Sequence, residues 1–146
     1  MKAAFLYNFA KFVEWPGDPD ASLILGILGD DPFGAAIDQL VAGKTVNGRA
    51  LAVKRLKWGQ DLRQCQILFI SSSEQKRLPQ IIASLRGASV LTVGETDAFL
   101  SSGGIIRFVL EGSKVRFEIN AGAAEQAHLK LSSKLLALAK NVTGQH

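Results

Sequence analysis

Two histidines and one cysteine are the chain's residues best suited to nucleophilic or metal chemistry, and their spacing suits neither. His128 precedes Ser132 by four residues, which would put both on one helix face where an imidazole can take a hydroxyl proton. No orienting acid and no nucleophile elbow accompanies the pair, so His128 reads as a surface or helix-end histidine. Cys65 has the cation Arg63 nearby, which would lower a thiol pKa; the favoured reading is a small buried cysteine at a strand start. A lone cysteine forms no intrachain disulfide, and with only His128 and His146 beside it no Cys/His metal cluster can be assembled. No calcium-loop spacing is present.

Gly29 to Gly34 has the glycine spacing of a phosphate loop, but Ala35 and Ala36 stand where Lys and Ser/Thr are required, and Asp30 and Asp31 would repel phosphate. The segment reads instead as a turn leading into a capped helix. The dinucleotide fingerprint of three spaced glycines is absent. Asp30-Asp31 after an apolar run is similar to the acidic pair of a phosphoacceptor receiver domain. That chemistry also needs an aspartate after the third parallel strand, where this chain has Ser71-Ser72-Ser73, so the analogy stays at the level of fold. The carboxylates are scattered without a pair spaced for acid–base work. No catalytic residue, cofactor or metal is assigned. A net charge of +4 without a basic run, RNP-like segment or zinc-finger spacing argues against nucleic acid as a partner.

The elements that must carry these residues are legible from periodicity. From Lys2 to Pro16, Phe5, Leu6, Phe9, Phe12 and Val13 form one helical face, with Lys2, Asn8, Lys11 and Glu14 opposite, and Pro16 ends the helix. The charged interruptions, with no small-residue cleavage site following, distinguish this opening from a secretion signal, and no apolar run reaches membrane-spanning length, so the chain as it stands is expected to be soluble. Gly17-Asp18-Pro19-Asp20 is a turn. Leu23–Leu28, Gln66–Ser71 and Val90–Val93 are continuous apolar runs, the mark of parallel strands buried on both faces. Asp31 and Pro32 suit the N-cap and first position of a helix reaching about Ala42, burying Phe33, Ile37, Leu40 and Val41 and stopped by Gly43. After the Asn47-Gly48 turn, Ala50–Lys57 is a strand whose Arg49, Lys54, Arg55 and Lys57 either form a binding strip or, the favoured reading, guard an edge against pairing. Ser73 can cap a helix carrying Leu78, Ile81, Ile82 and Leu85, and a short helix is expected from Asp97 to Leu100.

The pattern then turns to alternation. Gly112-Ser113 is a two-residue hairpin loop. It sets Glu111 opposite Lys114 and Arg107 opposite Glu118 on the outer face, with Leu110/Val115, Phe108/Phe117 and Ile106/Ile119 on the inner. Asn120 caps a closing helical region striped by Ala124, Ala127, Leu131, Leu135, Leu138 and Val142, with a break near His128 and a fresh cap at Ser132. The expected fold is α/β, one domain over residues 1–146, with a layered mixed sheet of about six strands, mostly parallel with a C-terminal antiparallel hairpin, flanked by helices. The opening helix is placed on one face together with the last helix.

Four segments together resemble the YfiR family: Tyr7-Asn8-Phe9-Ala10-Lys11-Phe12-Val13-Glu14-Trp15-Pro16, Ile24 to Gly34, Cys65 to Ser71, and a late set joining Gly103-Gly104, Phe117–Asn120 and Leu131–Leu136. The resemblance implies an α/β periplasmic protein made with a cleavable signal peptide, a regulator rather than an enzyme. Its best understood type restrains a membrane-bound diguanylate cyclase by contacting its periplasmic part, lowering cyclic-di-GMP and limiting biofilm; such proteins dimerise and respond to redox state through disulfides. Here Cys65 resembles a family cysteine but has no partner cysteine, and His128 stands where the family often has a glycine. Residues placed to meet a protein partner are Tyr7, Lys11 and Trp15 on the opening segment, and Arg107 and Arg116 on the outer hairpin face. The alternative is a periplasmic small-ligand sensor module, its ligand beyond the carboxyl ends of the strands at Gly29, Asp30, Ser71, Ser72 and Gly94.

Overall fold

The computed structural model describes residues 2–17 and 21–144; the expected turn at 17–20 lies mostly outside them. Helix α1 (Lys2–Phe12) buries Leu6 and Phe9, as its apolar stripe requires. It ends before Pro16 is reached. Val13 and Glu14 leave the helix as β1 (Val13–Glu14), and the Phe12 carbonyl accepts a hydrogen bond from the Ser132 N–H at 2.9 Å. Strand pairing, not the proline, thus terminates α1. β2 (Leu23–Leu28) follows, then α2 (Ala35–Val41), which starts later than Asp31 would have it. Asp31 Oδ1 instead accepts from the N–H groups of Phe33 and Gly34, closing a turn ahead of the helix. β3 (Thr45–Val46) and β4 (Arg49–Leu56) form a hairpin around Asn47 and Gly48, both at positive φ.

β5 (Ile67–Ile70) is fully buried. After it, Ser71 rather than Ser73 provides the cap, accepting from the Ser73 N–H at the head of a 3₁₀ stretch that leads into α3 (Leu78–Ser84). β6 (Leu91–Gly94) completes the inner strands. The helix expected from Asp97 to Leu100 is a run of turns. Phe99 is buried with its ring against Gly94 and Gly104, where any Cβ would overlap it, and this wedge takes the place of a regular turn of helix.

β7 (Ile106–Glu111) and β8 (Lys114–Asn120) pair in the register expected, from Ile106 opposite Ile119 to Glu111 opposite Lys114. On the inner face Val115 still packs partly buried against the core, but Leu110, assigned to that face, is 68% exposed because the hairpin tip runs past the core. Glu111 pairs with Arg116 and Lys140 rather than with Lys114. α4 (Ala121–Gln126) is capped by Asn120, whose side chain accepts from the Ala123 N–H at 3.1 Å. The chain breaks at His128, φ +60°, passes through β9 (Lys130–Leu131), and restarts as α5 (Ser133–Leu138) with Ser132 as its cap. Val142, expected on the closing helix, lies in β10 (Asn141–Thr143).

The main sheet has eight strands rather than about six, in the order β10-β8-β7-β6-β5-β2-β4-β3, and β1 and β9 form a separate antiparallel pair. β2, β4, β5, β6 and β7 run parallel, and the β7–β8 hairpin makes the sheet mixed. One face, with Leu25, Ile27, Phe69, Val93, Ile106 and Phe108, packs under α1, α2 and α5; the other, with Leu28, Leu68 and Ile70, packs under α3 and Phe99. The rings of Phe5, Phe9, Phe108 and Phe117 lie with centroids 5.1 to 6.3 Å apart in tilted, stacked and edge-on pairs, which seats α1 on the hairpin. No helix among the described residues is long and apolar enough to cross a membrane.

Candidate functional site

The five residues singled out in the sequence fall on two surfaces. Phe108 faces α1, so by strand alternation Arg107 and Arg116 face the side of the sheet away from α1, while Tyr7 and Lys11 belong to α1 itself. At the first surface the Lys11 Nζ lies 4.4 Å from the centroid of the Tyr7 ring, and the Lys44 Nζ approaches the same ring at 5.9 Å. Lys134 takes a similar position 5.6 Å from the Phe12 ring. Trp15 is half-buried; its indole N–H donates to the Gln66 carbonyl at 2.9 Å, so the ring is held against the start of β5.

Next to these residues β1 and β9 bound a groove of about 260 Å³ lined by Lys11, Phe12, Glu14, Asn47, Lys130 and Leu131. A second groove of about 220 Å³ shares Glu14 and Asn47 with it and continues past Trp15, Val46 and Arg49. Lys44, Lys130 and Lys134 were not singled out in the sequence. They come from three distant segments: Lys130 arrives where β1 pairs with β9, Lys134 where α5 packs on α1, and Lys44 where the end of α2 packs on α1.

On the second surface Arg107 is fully engaged. It donates to the Thr96 carbonyl at 3.0 Å, to Glu118 at 2.8 Å and to Asp97 at 2.8 Å. Glu118 also accepts from the Asn141 side-chain amide at 3.0 Å. That hydrogen bond first, then the hydrogen bond and charge of Arg107, hold the Glu118 carboxyl below its ordinary value despite partial burial. Arg116 is looser, 3.5 Å from Glu111. Arg107 therefore ties β7 to β8 and to the turn after β6, and Arg116 is the freer guanidinium of the two.

In the basic strip of β4 only Arg55, among the described residues, is neutralised by carboxylates of the chain. Arg55 pairs with Asp31 and Asp38, each at 2.7 Å, and donates to the Gly34 carbonyl. Burial alone would raise Asp31, but hydrogen bonds from the Phe33 N–H and Arg55, with the charge of Arg55, bring it below its ordinary value. The Arg55 hydrogen bond also lowers exposed Asp38. Lys54 donates to the Gln64 side chain at 2.9 Å. Only Ala50 and Arg49 of β4 are covered by β3, so the edge-strand reading describes Leu51 to Leu56.

The carboxyl ends of the strands, the place for a small ligand, are filled by the chain's own side chains. Ser73 Oγ accepts from the Asp30 N–H at 3.0 Å and, with Glu74, crowds Gly29; Phe99 occupies the space in front of Gly94. Cys65 is buried beside Gly26, and Arg63 turns away from it to donate to the Arg86 carbonyl at 2.9 Å. Burial therefore decides the thiol's acidity and pushes its pKa up to about 11, opposite to the direction expected from Arg63. His128 and Ser132 lie in separate segments, His128 at the left-handed break and Ser132 at the α5 cap. Among the described residues no group of three or more His, Cys, Asp or Glu converges.

Compared with known protein families, the chain matches a family model described as YfiR/HmsC-like over residues 1–140, nearly its whole length.

Proposed function

The chain belongs to the YfiR/HmsC-like family, and from that premise we propose that it is a periplasmic regulator that acts by contact, restraining a membrane-bound diguanylate cyclase and so lowering cyclic-di-GMP and biofilm formation. The observation that carries this reading is the match across residues 1–140, which takes in all the segments that resemble the family in sequence. The reading assigns the chain no reaction of its own. Its work is differential binding: a regulator of this kind shifts its partner toward an inactive state only to the extent that it binds that state more tightly.

Tyr7, Lys11, Trp15 and Arg116 are the proposed contact residues. Arg107 supports the same surface as Arg116 by fixing the hairpin against the turn after β6. A photo-crosslinking residue placed at Lys11 or Arg116 in the secreted protein is expected to capture an inner-membrane diguanylate cyclase. Recovery of no membrane protein from either position would refute the reading.

A further inference from the structure

We propose, on the contact-regulator reading above, that the corner where α1 runs into β1 is a docking groove for an extended, acidic segment of the partner protein. Two grooves, of about 260 and 220 Å³, join there through Glu14 and Asn47. Phe12, Val13, Leu131, Trp15 and Val46 give them apolar walls, several of these side chains being partly buried against the core. Lys11 and Lys130 line the groove, Arg49 stands at its far end, and Lys134 and Lys44 flank it over Phe12 and beside Tyr7.

What singles this corner out is that several cations gather beside apolar walls. Elsewhere Lys2, Arg55, Arg77, Arg107, Arg116 and Lys140 are paired with carboxylates of the chain, while Lys54, Lys57, Arg63, Lys76, Arg86 and Lys114 are not among those pairs. Among the described residues Lys11, Lys44, Lys130 and Lys134 make no such pair, and the grooves hold one carboxylate, that of Glu14. Like charges gathered without counter-charges repel one another, and a carboxylate-bearing partner removes that repulsion. The shape selects an extended chain. An α-helix with its side chains is about 10 Å across and would rest on the rims, whereas a strand can set alternate apolar and acidic side chains on the wall and the rim. A bilayer surface would reach the lysines at the rim and leave the apolar walls uncovered, so lipid headgroups fit the corner less well. Trp15, tied to Gln66, and Tyr7, between two lysines, offer rigid aromatic contacts of the kind that anchor interfaces.

The test uses the whole chain and a fluorescein-labelled peptide of alternating Glu and Leu as probe, with a Lys/Leu peptide and anionic phosphatidylglycerol vesicles as the other arms. Anisotropy should show saturable binding of the Glu/Leu peptide and none of the Lys/Leu peptide. Binding should weaken about tenfold or more in Lys11→Glu with Lys130→Glu, and likewise at about 0.5 M salt. Lys57→Glu with Lys76→Glu, the same charge change at other exposed sites, should leave it unchanged. Should the first pair fail to fold, Lys11→Gln with Lys130→Gln gives the same comparison with a smaller loss. Absence of saturable peptide binding, equal loss in both charge-reversed pairs, or binding confined to vesicles would overturn the proposal. Crosslinking to a cyclase that persists undiminished in Lys11→Glu with Lys130→Glu would sink this groove alone; peptide binding without any cyclase crosslink would sink the regulator reading alone.

Discussion

Phe99 is held by the absence of two side chains. Its ring fills the space that a Cβ at Gly94 or Gly104 would need, so Gly104→Ala must displace a buried aromatic ring from a close-packed site. Overpacking of that kind costs about 1–3 kcal/mol, and the variant is expected to melt at a correspondingly lower temperature in a calorimetric scan. Cys65 illustrates the competition between burial and charge. The folded thiol's pKa lies above its ordinary 9.0, so folding favours the protonated form; the stability this contributes is intact below that value and is lost as the pH rises toward about 11. A disulfide reagent at neutral pH is expected to react with Cys65 only after denaturant is added, and prompt reaction of the native protein would contradict the placement. The buried cysteine favoured from the sequence is what the fold shows, and the lowering that nearby Arg63 could exert is absent because its guanidinium is spent on backbone carbonyls.

At the scale of elements, the left-handed residue His128 and the cap Asn120 decide where α4 starts and stops. A left-handed conformation costs an L-residue about 1–2 kcal/mol and a β-branched one more, so His128→Val should destabilise by roughly that amount relative to His128→Gly. Asn120→Ala should cost about 1 kcal/mol through the lost cap. Denaturant titration of the three variants checks both. The ion-paired carboxylates add an acid dependence. Glu118 and Asp31 have folded values below their ordinary 4.5 and 3.8. Their contribution is therefore present above those values and lost as the pH falls through the lowered ones, and Glu118→Gln should flatten the acid limb of the stability curve. The hairpin register was legible because turn residues, charge pairs and apolar alternation agree there, and the caps Asn120 and Ser132 were read correctly where those expected at Asp31 and Ser73 were not. β1, β3, β9 and β10 were not, since strands of two or three residues carry no periodicity and exist only through their partners. For the same reason α1 was read too far toward Pro16, and Val142 was assigned to a helix.

For the whole molecule, the alternation of buried strands and helices made the α/β mixed sheet legible, and the short edge strands account for the difference in strand number. The candidate surface was legible only in part. Tyr7, Lys11 and Trp15 announce themselves by sitting off the apolar stripe of one amphipathic segment, but the lysines that complete their corner arrive from α2's end, β9 and α5. Tertiary structure also separates the five candidates, putting the hairpin arginines on the sheet face away from α1. A regulator that works by contact needs such surfaces kept rigid. The aromatic cluster under α1 and the Arg107 network supply that rigidity on the two sides of the sheet.

Restraint of a diguanylate cyclase by contact is the proposal on which the rest depends. It is tested most directly by measuring the cellular pool of cyclic-di-GMP in the native host with and without the intact gene. The pool should rise when the protein is removed and return to its starting level when the secreted wild-type protein is restored. A pool that does not move on removal would rule that restraint out.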